Sequence, residues 1–292
     1  MSQKTIKKSK EDWVVDIVAY VFLTILTITI LLPFCQVVTI SMSPSSVVNA
    51  SGLHLFPKQL DFNGYREIMT DPSFLRSYGV TIARTVVGVC SSIIITMMTA
   101  YPLSKTKLPY RRGLMLFIVF TMYFSGGMIP KYLLLKNLHL HNTFFVYILP
   151  CLILGFALII TRNFFMGIPD ALEESAKLDG ATDTQVLFKV YFPLSTPIVA
   201  TIGLWYGVHH WNQWTDNMLY VSKKSLYVLQ YVLHQILTRG QSSEMDVFED
   251  VVVHTESLKM AALVLSLIPI VIAYPFLQKY FVKGMIVGSV KG

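Results

Sequence analysis

The 292-residue chain is short of charge. Asp, Glu, Lys and Arg make up 14% of it, whereas an average soluble domain carries about a quarter. Hydrophobic residues reach 53% and the mean hydropathy is +0.55. Together these values exclude a large-cored soluble domain and define an integral membrane protein. Cysteine is scarce too. Cys35, Cys90 and Cys151 all lie in apolar runs, an odd number in positions that argue against a disulfide framework and suit packing. Catalytic signatures are missing. There is no G-x-x-x-x-G-K-[ST], so the chain lacks a phosphate-binding loop of its own, and no H-E-x-x-H or G-x-S-x-G. No pair of carboxylates lies within the apolar runs, which removes the usual apparatus of a proton-driven carrier. The net charge of +7 forms no stripe; the basic residues flank apolar runs, so membrane topology rather than nucleic acid accounts for them. His139 and His141 have no third ligand beside them, and no metal site is predicted.

What is present is a succession of apolar runs. A span needs about 20 apolar residues, and six segments qualify, at about 13–40, 78–103, 113–129, 143–162, 194–214 and 257–277. The expected fold is therefore an all-α integral membrane protein with six transmembrane helices. The basic N-terminus, 1–12, precedes an apolar run too long for a signal-peptide core. With both termini inside, the inner segments hold 14 Lys and Arg residues against 8 outside, in accord with the positive-inside rule. This orientation puts the segment 163–193 and the tail 281–292 in the cytoplasm. The glycines of Ser125-Gly126-Gly127, followed by Pro130, suggest either a break at membrane depth or an ordinary exit turn, with 131–142 as a short outer link. Asn49-Ala50-Ser51 matches a glycosylation acceptor by chance spacing and carries no weight.

The stretch IPDALEESAKLDGATDTQVLFKVYFPLSTP, residues 168–197, is the longest charged segment between two strongly apolar ones. Asp170 with Glu173 reads as a capping box that opens a helix over about 171–178. Asp179-Gly180 stops it, because glycine takes the left-handed conformation at little cost. Thr182 with Gln185 repeats the box and opens a second helix that Pro193 interrupts. Leu172, Ser175 and Ala176 share a face of the first helix. On these grounds alone the stretch is either an amphipathic connecting loop or a built helix–elbow–helix.

The spacing Glu174-Ser175-Ala176, three residues, Gly180, nine residues, Val190, one residue, Phe192-Pro193 closely resembles the EAA signature of permease subunits of bacterial ATP-binding-cassette importers. Ser175 stands where the family usually has alanine and Phe192 where it usually has leucine; both keep the size and polarity class of the position. The segment LDFNGYREIM and the tail FVKGMIVGSVKG are similar to those of carbohydrate permeases of the maltose type, in the branch handling complex and acidic oligosaccharides. The resemblance implies a multi-pass subunit of the bacterial cytoplasmic membrane. Its expected partners are a second, homologous permease, two ATP-binding subunits and an extracytoplasmic sugar-binding protein. ATP and Mg would sit on the ATPase, with no cofactor or catalytic residue on this chain. It also implies that Glu173, Glu174, Ser175, Ala176, Asp179 and Gly180 form and shape the helix that docks on the ATPase.

Two further features remain open. Arg84, near the outer end of the second span, is either a functional intramembrane charge or a side chain snorkelling to the interface. In the fifth span, Gly203 and Gly207 make a G-x-x-x-G face for a neighbouring helix. Its outer half is rich in aromatic and amide groups, either an interfacial belt or a sugar-stacking wall. Trp205, Tyr206 and Asn212 are the candidate substrate-path residues. A polar outer loop, 216–256, with an amphipathic helix near 226–237, leads to the last span. The competing readings are a channel or secondary transporter working without an ATPase, and an importer of a non-sugar solute.

Overall fold

The computed structural model describes residues 10–44, 48, 55–238 and 255–289. The basic extreme N-terminus, the Asn49-Ala50-Ser51 match, much of the loop after the amphipathic helix and the last three residues lie outside the described residues. Among the described residues every regular element is helical. In chain order these are α1 (Lys10–Ser41), α2 (Asn63–Thr70), α3 (Pro72–Ser104), α4 (Arg111–Tyr123), α5 (Met128–Asn137) and α6 (Gly155–Phe165). There follow α7 (Asp170–Leu178), α8 (Asp183–Val186), α9 (Thr196–Asn212), α10 (Thr215–Tyr220), α11 (Leu229–Thr238) and α12 (Glu256–Ser289).

Among the described residues, three helices are long and apolar enough to cross a membrane: Glu11–Ser41, Pro72–Ser104 and Glu256–Ala273. Three bent pairs pass the same test together. α4 and α5 meet at 113°, the turns of Phe144–Cys151 meet α6 at 50°, and Asp183–Leu194 meets α9 at 86°. The first bend occurs at the glycines noted above, where Gly127 has φ +88°. The short link expected at 131–142 is largely helical, since α5 runs through Asn137. The last helix likewise runs on through 281–289, where the sequence suggested only a short tail.

Two compact units emerge, residues 1–70 with 236–265, and 71–235 with 266–292. In the first, α1 is apolar all round, with Tyr20 and Phe22 among its most exposed side chains. A helix without a polar face belongs in lipid. Thr27 and Thr29 turn their hydroxyls back onto the carbonyls of Leu23 and Ile25, 2.7 and 2.9 Å away, which satisfies both donors in hydrocarbon. At its end Ser41 bonds the Tyr65 hydroxyl at 2.7 Å, and Ser257 donates to the Ser43 carbonyl at 2.5 Å.

The second unit is organised on α3. Asp71 caps it by accepting from the Ser73 N–H at 2.8 Å, and Pro72 fits the first turn, where no N–H is needed. Its buried stripe is small or polar, with Ser77, Thr81, Gly88, Ser92 and Thr96. Such a stripe lets helices approach closely where no hydrophobic force separates helix from lipid. α9 and α6 pack against it. The expected G-x-x-x-G face is the face used, since a Cβ at Gly203 would lie 3.3 Å from Ile93 and one at Gly207 3.8 Å from Val89.

Candidate functional site: an anchored elbow and a buried ion pair

The elbow is assembled from short-range rules. α7 ends in a complete left-handed cap: Gly180 has φ +82°, its N–H bonds the Lys177 carbonyl at 3.0 Å, and the Ala181 N–H bonds the Ala176 carbonyl at 2.9 Å. Two residues on, the capping box forms in both directions. Thr182 N–H donates to Gln185 Oε1 at 2.9 Å, and Gln185 N–H to Thr182 Oγ1 at 3.4 Å. α8 then widens into a π-turn over Leu187–Tyr191 ahead of Pro193. Proline has no N–H to give the carbonyl four residues back, and a wider turn accommodates that loss. Ser195 marks the 86° bend into α9.

The first predicted box does not form. The residue before α7 is Pro169, with no side-chain cap, and Glu173 points elsewhere. Its carboxylate is buried and receives the Lys105 ammonium, the Tyr191 hydroxyl at 3.1 Å and the Lys177 ammonium at 2.9 Å. A buried carboxylate gains more from three such donors than from one backbone N–H at a helix start. Lys105 follows the last residue of α3, so Glu173 ties the elbow to the end of that helix. Lys105 also donates to the Tyr191 hydroxyl at 2.5 Å and lies 4.4 Å from the centre of the Tyr191 ring. Tyr101, Phe165, Val186 and Leu187 pack beneath, with Tyr101 and Phe165 edge-on to Tyr191 at 5.0 and 5.2 Å.

Burial pushes the Glu173 carboxyl up. Hydrogen bonds from Lys105 and Lys177, the Lys105 charge and the Tyr191 hydroxyl outweigh it and hold the group at about 2. Lys105 is raised above its ordinary value: burial acts to lower it, and the bonds to Glu173 and Tyr191 prevail. Lys177 extends the network across the elbow, reaching Asp183 at 3.1 Å.

The other predicted docking residues face outward. Glu174, Ser175, Asp179 and Gly180 are exposed, Ala176 is half-buried against the core below, and Leu178 is 90% exposed. A cleft of about 540 Å³ opens beside them, lined by Asp170, Glu173, Glu174, Lys177 and Asp183 among others. Asp179 contributes its backbone N–H, donated to the Ser175 carbonyl at 3.1 Å.

In the first half of α3, Arg84 does not snorkel. It is fully buried, forms a fork onto both oxygens of Asp216, donates to the Gln213 carbonyl at 2.9 Å, and stacks 4.6 Å from the centre of the Tyr147 ring. Asn217 continues the network, its Oδ1 lying 3.0 Å from the Tyr147 hydroxyl and accepting from the Val228 N–H at 2.7 Å. One signal in the chain could have pointed to this cluster. An arginine inside an apolar span must find a counter-charge, and Asp216 is the acid next along the chain from α9. Lys105 and Tyr191 carried no comparable signal, because their meeting with Glu173 depends on tertiary packing.

The aromatic and amide groups of α9 are largely occupied. Tyr206 is fully buried, and its hydroxyl links Thr96 Oγ1 at 2.8 Å and the Leu154 N–H at 3.0 Å, so it ties three segments together. Trp205 stacks on Phe156 at 5.3 Å, Trp211 is edge-on to Tyr78 at 6.1 Å, and Trp214 stacks on His234 at 4.2 Å. Asn212 is exposed and donates to the Val208 carbonyl of its own helix at 3.0 Å.

Residues 77–287 match the family described as the binding-protein-dependent transport system inner membrane component, and the chain belongs to that family. It is 39% identical over 290 residues to Protein LplC of Bacillus subtilis, covering 99% of this chain and 98% of that one. It is also 39% identical over 282 residues to the polygalacturonan/rhamnogalacturonan transport system permease protein YtcP of the same organism, covering 95% and 98%. Among solved structures it resembles a chain from a bacterial ABC transporter involved in the import of the acidic polysaccharide alginate, at TM-score 0.86 and 34% identity, over 95% of this chain and all of that one.

Proposed function

We propose that the chain is the transmembrane subunit of an ATP-driven importer that moves an oligosaccharide, of an acidic kind, across the bacterial cytoplasmic membrane by alternating access. The observation that carries it is the elbow. Its fold is fixed by local caps, its inner side is bolted to α3 through Glu173, and its outer side presents Glu174, Ser175 and the bare Leu178. Such a part transmits movement and does no chemistry. In this reading Glu174, Ser175, Ala176 and Gly180 meet the ATP-binding subunit, while Asp179 lies at the rim of the contact. ATP and Mg belong to that subunit. A second, homologous permease completes the pathway in this reading. An external binding protein delivers the sugar, which the family's description supports. The acidic cargo is supported by the names borne by YtcP and the alginate importer. Trp205 and Asn212 remain candidates for the sugar path; Tyr206 serves it by holding α9 to α3.

ATP binding would draw the two elbows together, and α3 and α9 would turn with them as packed bodies, opening the cavity outward. The test is purification of the tagged chain from native membranes in mild detergent, with every companion identified. Recovery of an ATP-binding subunit and a second permease, with ATP hydrolysis stimulated by a binding protein loaded with an acidic oligosaccharide, supports the proposal. A chain recovered alone, or with itself only, would overturn it in favour of a channel or carrier. Stimulation by a loaded amino-acid-binding protein instead would overturn the cargo.

A further inference from the structure

Arg111 and Arg162 come from different helices, the first turn of α4 and the last turn of α6, yet both donate their Nε–H to one acceptor, the Leu103 carbonyl, at 3.0 and 3.2 Å. That carbonyl belongs to the last turn of α3, where backbone acceptors lack helical partners. Two guanidinium groups are thereby held side by side, and Arg112 stands next to them. The ion pairs seen among the described residues involve Arg84, Lys105, Lys177 and Lys259, and none involves these three arginines. Their position sharpens the conflict. The first turn of α4 holds no acidic residue, so two arginines face the positive end of a helix dipole. The three arginines line a cavity of about 800 Å³ whose remaining wall includes Met115, Leu116 and Val119, with Leu116 70% exposed.

The positive-inside rule accounts for basic residues in this loop but not for their convergence on one carbonyl beside an apolar wall. Concentrated positive charge without a protein counter-ion fits an anion, and the wall of α4 fits an acyl chain running from it. A basic pocket between helices at the cytoplasmic side of a membrane is the arrangement that takes a phospholipid headgroup. From this geometry we infer that Arg111, Arg162 and Arg112 bind the phosphate of an anionic phospholipid of the cytoplasmic leaflet, with its chain laid along Met115, Leu116 and Val119. Leu103 lies two residues before Lys105, so an occupied site would brace the end of α3 that anchors the elbow.

The inference uses the proposed orientation only in naming the leaflet. Its test needs neither sugar nor ATP, so failure of this assignment and failure of the transport reading are seen separately. The purified complex would be incorporated into nanodiscs of phosphatidylcholine containing phosphatidylglycerol, extracted, and weighed intact by native mass spectrometry. Wild type is expected to retain phosphatidylglycerol. Arg111→Gln with Arg162→Gln should weaken retention roughly 30-fold, at about a factor of five for each arginine. Because those two arginines also brace Leu103, Arg112→Gln is the second variant. No hydrogen bond or ion pair of Arg112 is seen among the described residues, and its loss should weaken retention about fivefold. Retention unchanged in both variants overturns the assignment. So does displacement of the lipid by millimolar inorganic phosphate, which would mark the site as one for a free anion.

Discussion

At the scale of single residues, two buried acids decide what the ends of α3 can do. Removing charge from Asp216 leaves the Arg84 guanidinium buried and unpaired, which costs about 3–5 kcal/mol. Asp216→Asn should therefore lower the thermal midpoint of the purified complex by several degrees; an unchanged midpoint would mean that water reaches Arg84. The Glu173 pair is partly open, with Lys105 about a quarter exposed, so Lys105→Met is expected to cost less, about 1–2 kcal/mol. The pH dependence follows from the direction of the shift. The folded carboxyl lies near 2, below its ordinary 4.5, so its stabilisation is fully present above 4.5 and is lost as pH falls through about 2. Amide exchange in residues 170–180 should thus stay flat from pH 7 to 5, after correction for intrinsic rates, and rise only below the ordinary carboxylate range. A rise near pH 6 would contradict the anchor.

At the scale of elements, the elbow is the part most directly written in the chain. Gly180 and the Thr182–Gln185 box are local devices whose partners lie within a few residues, and both form as the spacing predicts. Gly180→Val would place a β-branched residue at φ +82° and should distort the turn at a cost of about 1–3 kcal/mol. The outcome expected is a complex that assembles, hydrolyses ATP and fails to couple hydrolysis to uptake; normal uptake would sink the role given to the elbow. The Asp170–Glu173 box failed for the opposite reason. Its residues suit a cap, but a tertiary partner on α3 offers Glu173 more than the helix start does. The run of apolar helices was legible from hydropathy, and a sharp bend near Gly127 from its glycines. The helix over Met128–Asn137 was not, because its pattern is weak and it contains two lysines, Lys131 and Lys136. The aromatic stretch of α9 misled in part. Composition cannot distinguish a ring that waits for a sugar from one that stacks on Phe156 or His234.

For the molecule as a whole, the two ion pairs should behave differently in stability and in function. Arg84 and Lys105 share a helix but no partner, so the stability losses of Asp216→Asn and Lys105→Met are expected to add to within about 0.5 kcal/mol. Uptake should not add. If both pairs serve one movement, either variant alone removes most of the sugar transported per ATP, and the double variant removes little more. Fully additive effects on that ratio would separate the two ends into independent devices.

Helix α3 has 33 residues; Arg84 lies on it and Lys105 immediately after it, 21 positions apart. At 1.5 Å per residue this is roughly 31 Å, close to the hydrocarbon thickness of a bilayer. The helix is a lever with one charged rivet along its length and another at its C-terminal end. A tilt of about 10° pivoting at one rivet would swing the other sideways by about 5 Å. A small push at the elbow would therefore be felt about 31 Å away, at Arg84, as a sideways step of several ångströms.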